Sequence, residues 1–93
     1  MFVRVVRFTD VTAERVESLV ARIDDTGPPP GVPIKKLQLV FDETQGTAVV
    51  LQYFENEENL RAGTDTFAAM DPSETPGSRV SVDTGELRVE REL

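Results

Sequence analysis

The chain lacks several of the side chains on which protein chemistry most often depends. Its 93 residues include no cysteine, no histidine and no tryptophan, and a single tyrosine. Without cysteine there is no disulfide and no thiolate ligand, and without histidine the commonest transition-metal ligand is missing. Ser-His-Asp and Cys-His nucleophilic devices are likewise excluded. We therefore expect no metal site and no cofactor.

Long apolar segments and positive charge are also scarce. No segment approaches the roughly 20 apolar residues of a membrane span, and the N-terminus begins with a charged, alternating stretch that does not resemble a signal peptide. The 17 acidic and 10 basic residues give a net charge of −7, which repels nucleic-acid phosphates and anionic lipid. We expect a cytoplasmic protein that binds neither nucleic acid nor membrane.

The length predicts one domain, residues 1–93. A chain this short buries only roughly 60–65% of its unfolded surface, so its core is thin. Small domains often add disulfides, a metal or a partner chain to such a core. With the first two excluded, a partner subunit is the remaining supplement.

The first third of the chain predicts a strand followed by a helix. The strand spans Phe2–Phe8, which is rich in Val and Phe. Thr12 is suited to cap the helix and Gly27 to end it. The segment from Gly27 to Pro33 is then a stiff loop, because Pro28–Pro30 forbid helix. The inner helix face is predicted to hold Val16, Leu19, Val20 and Ile23.

The middle of the chain predicts a β-hairpin and a second helix. Strands over Ile34–Phe41 and Thr47–Phe54 flank a short turn that ends in Gly46. Asn56 is suited to cap the helix that follows, which Asp71-Pro72 stops. Gly63 inside that helix indicates that the helix packs closely on the sheet. The inner face of the helix is predicted to hold Leu60, Thr64, Phe67, Ala68 and Met70.

The last strand is predicted over Arg79–Leu93, with a bulge or kink at Thr84-Gly85 where its apolar alternation changes phase. The order strand, helix, strand, strand, helix, strand favours an α+β fold of the ferredoxin-like βαββαβ kind. In this fold both helices lie on one face of a four-stranded antiparallel sheet.

The sheet face opposite the helices is predicted to contact a second subunit. We assign Val3, Val5, Leu37, Leu39, Phe41, Val49 and Leu51 to the face under the helices, although a one-residue slip would exchange the two faces. The open face then holds Phe2, Arg4, Val6, Phe8, Lys36, Gln38, Val40, Ala48, Val50, Gln52 and Phe54. Exposed apolar faces of this kind usually mark interfaces, so we expect a homodimer whose two sheets enclose a cavity.

Four polar residues of the assigned open face are the candidate ligand-binding side chains. Arg4, Lys36, Gln38 and Gln52 could orient a small carboxylate or carbonyl compound, and Arg79, Ser81 and Asp83 could join them. The alternative is that these groups satisfy one another across the subunit contact. The paired carboxylates, such as Asp42-Glu43, fall at turns and helix ends, where solvation is expected. Tyr53 is expected to pack against a helix.

Three segments resemble the dimeric α/β-barrel superfamily, which includes the antibiotic-biosynthesis-monooxygenase-like proteins. They are the opening strand FVRVVRF, the segment VVLQYFENEENLRAG (Val49–Gly63), in which a strand runs into an acidic-capped helix, and RVSVDTGELRVE near the C-terminus. The resemblance implies a ferredoxin-like homodimer with a small-molecule site beside the sheet. Haem-handling relatives usually rely on histidine, and the quinone-forming monooxygenases on tryptophan, histidine or asparagine, so no catalytic residue carries over.

Three function classes remain open at this point. The first is a homodimeric binding or structural module without assignable chemistry. The second is a cofactor-free monooxygenase-like or isomerase-like enzyme acting on a small organic molecule in the sheet cavity. A regulatory subunit that binds a partner through a sheet edge is a third reading. Fold analogy does not choose among them.

Overall fold

The computed structural model describes residues 1–27, 31–70 and 75–93. One antiparallel sheet has the strand order β2-β3-β1-β4. This is the βαββαβ arrangement predicted from the sequence. In chain order the elements are β1 (Phe2–Thr9), α1 (Ala13–Thr26), β2 (Ile34–Asp42), β3 (Thr47–Phe54), α2 (Glu57–Ala68) and β4 (Ser78–Glu86).

Both helices begin and α1 ends at the predicted residues. The Thr12 side chain accepts a hydrogen bond from the backbone N–H of Arg15 at 3.2 Å, and the Asn56 side chain accepts one from Asn59 at 2.8 Å. Gly27 ends α1 with φ of 69°, a conformation that favours glycine. The predicted stops at Pro28–Pro30 and Asp71-Pro72 lie outside the described residues.

The face assignment for β1 and β3 was wrong. The register pairs Arg4 with Gln52 and Val6 with Val50, and these side chains are buried beneath the helices. For β2 the assignment was right, because Leu39 lies beside Val50 on that same face. The hairpin pairs Asp42 with Thr47, so odd-numbered residues of β2 stand beside even-numbered residues of β3. The covered face of β1 and β3 therefore holds Arg4, Val6, Phe8, Ala48, Val50, Gln52 and Phe54.

The last strand is shorter than predicted. β4 pairs only with β1, whose first residue, Phe2, lies opposite Glu86. A single further bond joins the Leu87 N–H to the Met1 carbonyl at 2.8 Å. Residues 88–93 form no strand because β1 has no more residues to pair with them. The register shift falls at Arg7/Phe8 of β1, not opposite Thr84-Gly85.

The two helices approach the sheet to different degrees. α2 packs closely, with Leu60 and Gly63 buried, and Leu60 in contact with the fully buried ring of Phe54. α1 contains no fully buried residue, and Val20, predicted on its inner face, is 43% exposed. The sheet is therefore tightly covered by α2 and loosely covered by α1. No helix in the described part of the chain is long and apolar enough to cross a membrane.

Candidate ligand-binding cavity

The space beneath α1 is a cavity of about 590 Å³. Pockets of about 300–1,000 Å³ are typical of small-molecule sites. Its walls are mostly apolar, because α1 turns its apolar stripe toward the sheet while, of that stripe, Val16 packs against the sheet core and Leu19 and Ile23 border the cavity. The apolar walls include Val6, Phe8 and Val50 from the sheet, Leu19 and Ile23 from α1, and Phe67 from α2.

Arg4 is the most deeply buried charged group at this cavity. The residue is 3% exposed, its Nη1 donates to Gln52 Oε1 at 2.9 Å, and its guanidinium lies 5.3 Å from the centre of the Phe67 ring. Its Nε is buried and has no hydrogen-bond partner among the described residues. A buried guanidinium of this kind is costly unless its donors are satisfied.

Arg79 brings a second guanidinium to the same cavity. It precedes the bulge on β4, opposite Phe8, and its Nη2 donates to the Phe67 carbonyl at 3.2 Å. Burial, and then the nearby charge of Arg79, lower the pKa of Arg4 from its ordinary value. An arginine side chain nevertheless stays protonated in proteins. The two residues therefore place like charges at one cavity, with Arg4 buried and Arg79 exposed at its border.

The residues that border the cavity are strongly biased in charge. Five of the chain's 10 basic residues border it, and no acidic residue among those described does, although the chain has 17 acidic residues. Besides Arg4 and Arg79, Lys35 forms an ion pair with Glu55 at 3.6 Å. The Lys36 ammonium lies 5.1 Å from the Tyr53 ring, on the opposite face of the sheet. The basic residues are Arg4, Arg22, Lys35, Lys36 and Arg79.

The four predicted ligand-binding residues separate into two pairs. Arg4 and Gln52 lie together under the helices and are hydrogen-bonded. On the opposite face, Gln38 Oε1 accepts a hydrogen bond from the Tyr53 hydroxyl at 2.8 Å, and the Lys36 ammonium stacks on the same ring. The prediction that all four share the open face was therefore wrong, as was the packing of Tyr53 against a helix. The cause is the register of β1 and β3.

Two residues of the cavity, Phe67 and Arg79, were not among the four predicted ligand-binding residues. Phe67 was predicted on the inner face of α2, but nothing in the sequence pairs it with Arg4. Arg79 was only a possible addition to the candidate cluster. A basic residue directly after a Pro-Gly turn carries no distinguishing signal, and its approach to Arg4 depends on the pairing of β4 with β1.

The carboxylates form no comparable centre. No group of three or more Asp or Glu residues suited to a metal ion occurs in the described ranges. Asp42, one of the paired carboxylates, sits in the hairpin turn. There the Gln45 side chain and backbone N–H donate to it and lower its pKa. This arrangement stabilises a turn and offers no reactive group.

Comparison with known proteins supports the fold. No family model matches the sequence, and no curated protein matches it. A Deinococcus radiodurans protein with a proposed antibiotic biosynthesis monooxygenase activity is 12% identical, with a TM-score of 0.58 over 100% of this chain and 98% of that one. A variant of MhuD with two manganese protoporphyrin IX molecules per active site is 16% identical, with a TM-score of 0.56 over the same shares.

A NIPSNAP domain protein from Burkholderia xenovorans is 16% identical, with a TM-score of 0.44 over 97% of this chain and 95% of that one. The first two likenesses extend over the whole chain at low sequence identity, so they establish a common fold and no common activity. The chain has the ferredoxin-like fold of the antibiotic-biosynthesis-monooxygenase-like proteins, as its sequence resemblance predicted.

Proposed function

We propose that this protein is a homodimeric binding module that holds a small organic molecule between its sheet and its helices. The observation behind this proposal is the mostly apolar cavity beneath α1. Protein interiors are close-packed, and apolar walls that face a void lose dispersion contacts. Val16 of α1 packs against the sheet core, and without an occupant the rest of the apolar stripe would be expected to do the same, as α2 does. A bound molecule restores the missing contacts.

Binding is favoured over catalysis by the side chains at the cavity. The described residues that border it include no Asp, Glu, His, Cys or Tyr, which are common proton-transfer groups and nucleophiles. Of the two lysines there, Lys35 pairs with Glu55 and Lys36 stacks on Tyr53. Arg4 and Gln52 are suited to hold and orient a polar group. No observation favours the monooxygenase-like or isomerase-like alternative.

A haem does not fit these residues. Haem iron is ordinarily held by His, Cys, Tyr or a Met–His pair. The chain has no His and no Cys, and Tyr53 lies on the opposite face of the sheet, bonded to Gln38. Met70 borders the cavity but has no His to complete a Met–His pair. The porphyrin found with the MhuD variant is therefore not transferred to this protein.

The cavity proposal is tested by filling the cavity from α1. Ile23→Trp places a large ring into it, whereas Val20→Trp, on the same helix, adds the same ring at a 43% exposed position. We expect native mass spectrometry of the purified protein to show a bound small molecule in the wild type and in Val20→Trp, and its loss in Ile23→Trp. The proposal fails if the wild type retains no molecule and also binds no apolar probe, such as naphthalene derivatives, in solution.

The open face of the sheet supports association with a second copy. Val3 and Val5 of β1, with Val49 and Leu51 of β3, form an apolar centre that no other part of the described chain covers. Val40 on β2 continues it and is 59% exposed. These residues differ from those first assigned to the open face, but the face is still too apolar for a free surface.

The charges on this face suit a symmetric contact. Arg7 and Asp83 both lie on it and both are exposed. A face that carries both signs can be complementary to itself across a two-fold axis.

The homodimer is tested by light scattering and native mass spectrometry at micromolar concentration. Leu51→Lys places a charge in the centre of the open face and should convert a dimer into a monomer. Val20→Lys places the same charge on α1 and should leave the dimer intact. A wild-type protein that is strictly monomeric would remove this part of the proposal and leave the cavity unaffected. The expected cytoplasmic location stays a prediction.

A further inference from the structure

We propose that the molecule held in this cavity is an organic anion, a carboxylate with an apolar body, whose carboxylate lies at the guanidinium groups of Arg4 and Arg79. This inference rests on the proposed binding function and specifies the chemical class of its ligand. The argument has three parts: the sign of the charges at the cavity, the unsatisfied donor of Arg4, and the character of the remaining walls.

The charge distribution is the first part. In a chain with net charge −7, a random surface would be mainly acidic, yet every charged residue among the described residues that border the cavity is basic. The ammonium of one of these, Lys36, lies on the opposite face of the sheet, which leaves Arg4, Arg22, Lys35 and Arg79. Neither Arg4 nor Arg79 has a carboxylate within 4 Å in the described part of the chain, where the ion pairs involve other residues. A cavity with this sign of potential attracts anions and repels cations.

The hydrogen bonding of Arg4 is the second part. A guanidinium has five N–H donors, and at this 3% exposed residue one bond, to Gln52, is formed in the described part of the chain. The Phe67 ring covers one face of the guanidinium, and the buried Nε has no partner among the described residues. A carboxylate pairs with the planar fork of a guanidinium. Where Arg4 borders the cavity, a carboxylate neutralises a buried charge that is incompletely hydrogen-bonded among the described residues.

Arg79 strengthens the preference for an anion. Its guanidinium is anchored by the Phe67 carbonyl, so one residue of α2 positions both cations, Arg4 through its ring and Arg79 through its backbone. Arg4 is buried and Arg79 is exposed, and their like charges repel each other. An anion between them reverses that repulsion, and Gln52 keeps the Arg4 side chain in place.

The walls of the cavity are the third part of the argument, because their side chains determine what can be attached to the carboxylate of the ligand. Away from the two guanidinium groups the cavity is bordered mainly by aliphatic and aromatic side chains, among them Phe8, Leu19 and Ile23. Such walls bind an apolar body and offer few partners for the hydroxyl groups of a sugar or a nucleotide. A carboxylate with a ring or chain of apolar atoms therefore fits the whole cavity.

The test compares acids with their neutral amides. Isothermal titration calorimetry on the full chain would use 2-naphthoate, phenylacetate, indole-3-acetate and octanoate, each paired with its amide. We expect at least one acid to bind at least tenfold more tightly than its amide. Arg4→Met should remove that difference, and Arg79→Met should reduce it. Arg61→Met removes an exposed cation that pairs with Glu57 on α2 and should change nothing.

The outcomes separate the two proposals. If amides bind as well as acids and Arg4→Met has no effect, the anion is wrong while the binding cavity stands. If no acid or amide binds and the purified protein carries no molecule, both are wrong. Because Arg4 is buried, its variant could fail to fold. Circular dichroism shows whether the Arg4 variant is folded. If it is not, the exposed Arg79→Met variant tests the proposal, because an unchanged preference for the acid over its amide in that variant overturns the role of the guanidinium pair.

Discussion

Replacement of Gly63 by alanine should destabilise the protein although alanine is the better helix former. A Cβ at this position would lie 2.5 and 2.6 Å from two ring carbons of Phe54. The ring is 0% exposed and packs against Val32 and Leu60, so it has little room to move away. Such overpacking costs about 1–3 kcal/mol, and the gain in helix propensity is about 1 kcal/mol.

The expected net loss for Gly63→Ala is therefore about 1 kcal/mol in the free energy of unfolding. In a domain of this size that lowers the melting temperature by roughly 4–8 °C. Thermal and urea unfolding followed by circular dichroism measure both quantities. Gly85→Ala is the matched control, because a Cβ there meets no atom within 4 Å. It should stabilise the strand by about 0.5–1 kcal/mol.

A second substitution tests the cause. Phe54→Leu removes the ring atoms that Gly63 approaches, so the double variant Gly63→Ala/Phe54→Leu should be more stable than the sum of the two single effects predicts. We expect a coupling energy above about 0.5 kcal/mol. If Gly63→Ala is more stable than the wild type, or if the two effects are additive, the ring does not restrict this helix and the reasoning is refuted.

Three further outcomes concern Gly77, the Arg4–Gln52 pair and Asp42. Gly77→Ala should lower the melting temperature, because its Cβ would meet the backbone carbonyl of Thr9, which cannot rotate away; an unchanged value would contradict this. Arg4→Met/Gln52→Leu replaces a buried polar pair by apolar groups and should raise the melting temperature of the ligand-free protein while binding is lost; lower stability would show that the pair stabilises the fold. Asp42 has a lowered pKa, principally through the Gln45 side chain, so its contribution is present above about pH 4 and lost as the pH falls through the lowered value. Acid titration of stability should therefore show a smaller loss in Asp42→Ala, and equal losses would contradict it.

The ends of the secondary-structure elements could be predicted because local side chains decide them. Thr12 and Asn56 satisfy free N–H groups at the first turn of each helix, and Gly27 adopts a backbone conformation that other residues avoid. These effects act within a few residues of the chain. The end of β4 is different, because it depends on where its partner β1 begins.

Of the four predicted ligand-binding residues, two lie together at the cavity. Arg4 and Gln52 stand out in the sequence as polar residues within apolar strands, and the structure joins them by a hydrogen bond. Lys36 and Gln38 have the same alternation, yet they lie on the other side of the sheet. Alternation within one strand shows which residues share a face, but it does not show which face of the next strand they join.

By itself the sequence determined the order of the elements, and it excluded chemistry that needs histidine or cysteine. The tertiary structure alone decided which face of the sheet meets the helices. That choice depends on the pairing of Arg4 with Gln52, 48 positions apart in the chain, and on the approach of Arg79 from the last strand. Contacts between such distant residues are set by strand register and helix packing. These placed the buried Arg4 and the exposed Arg79 at the same cavity.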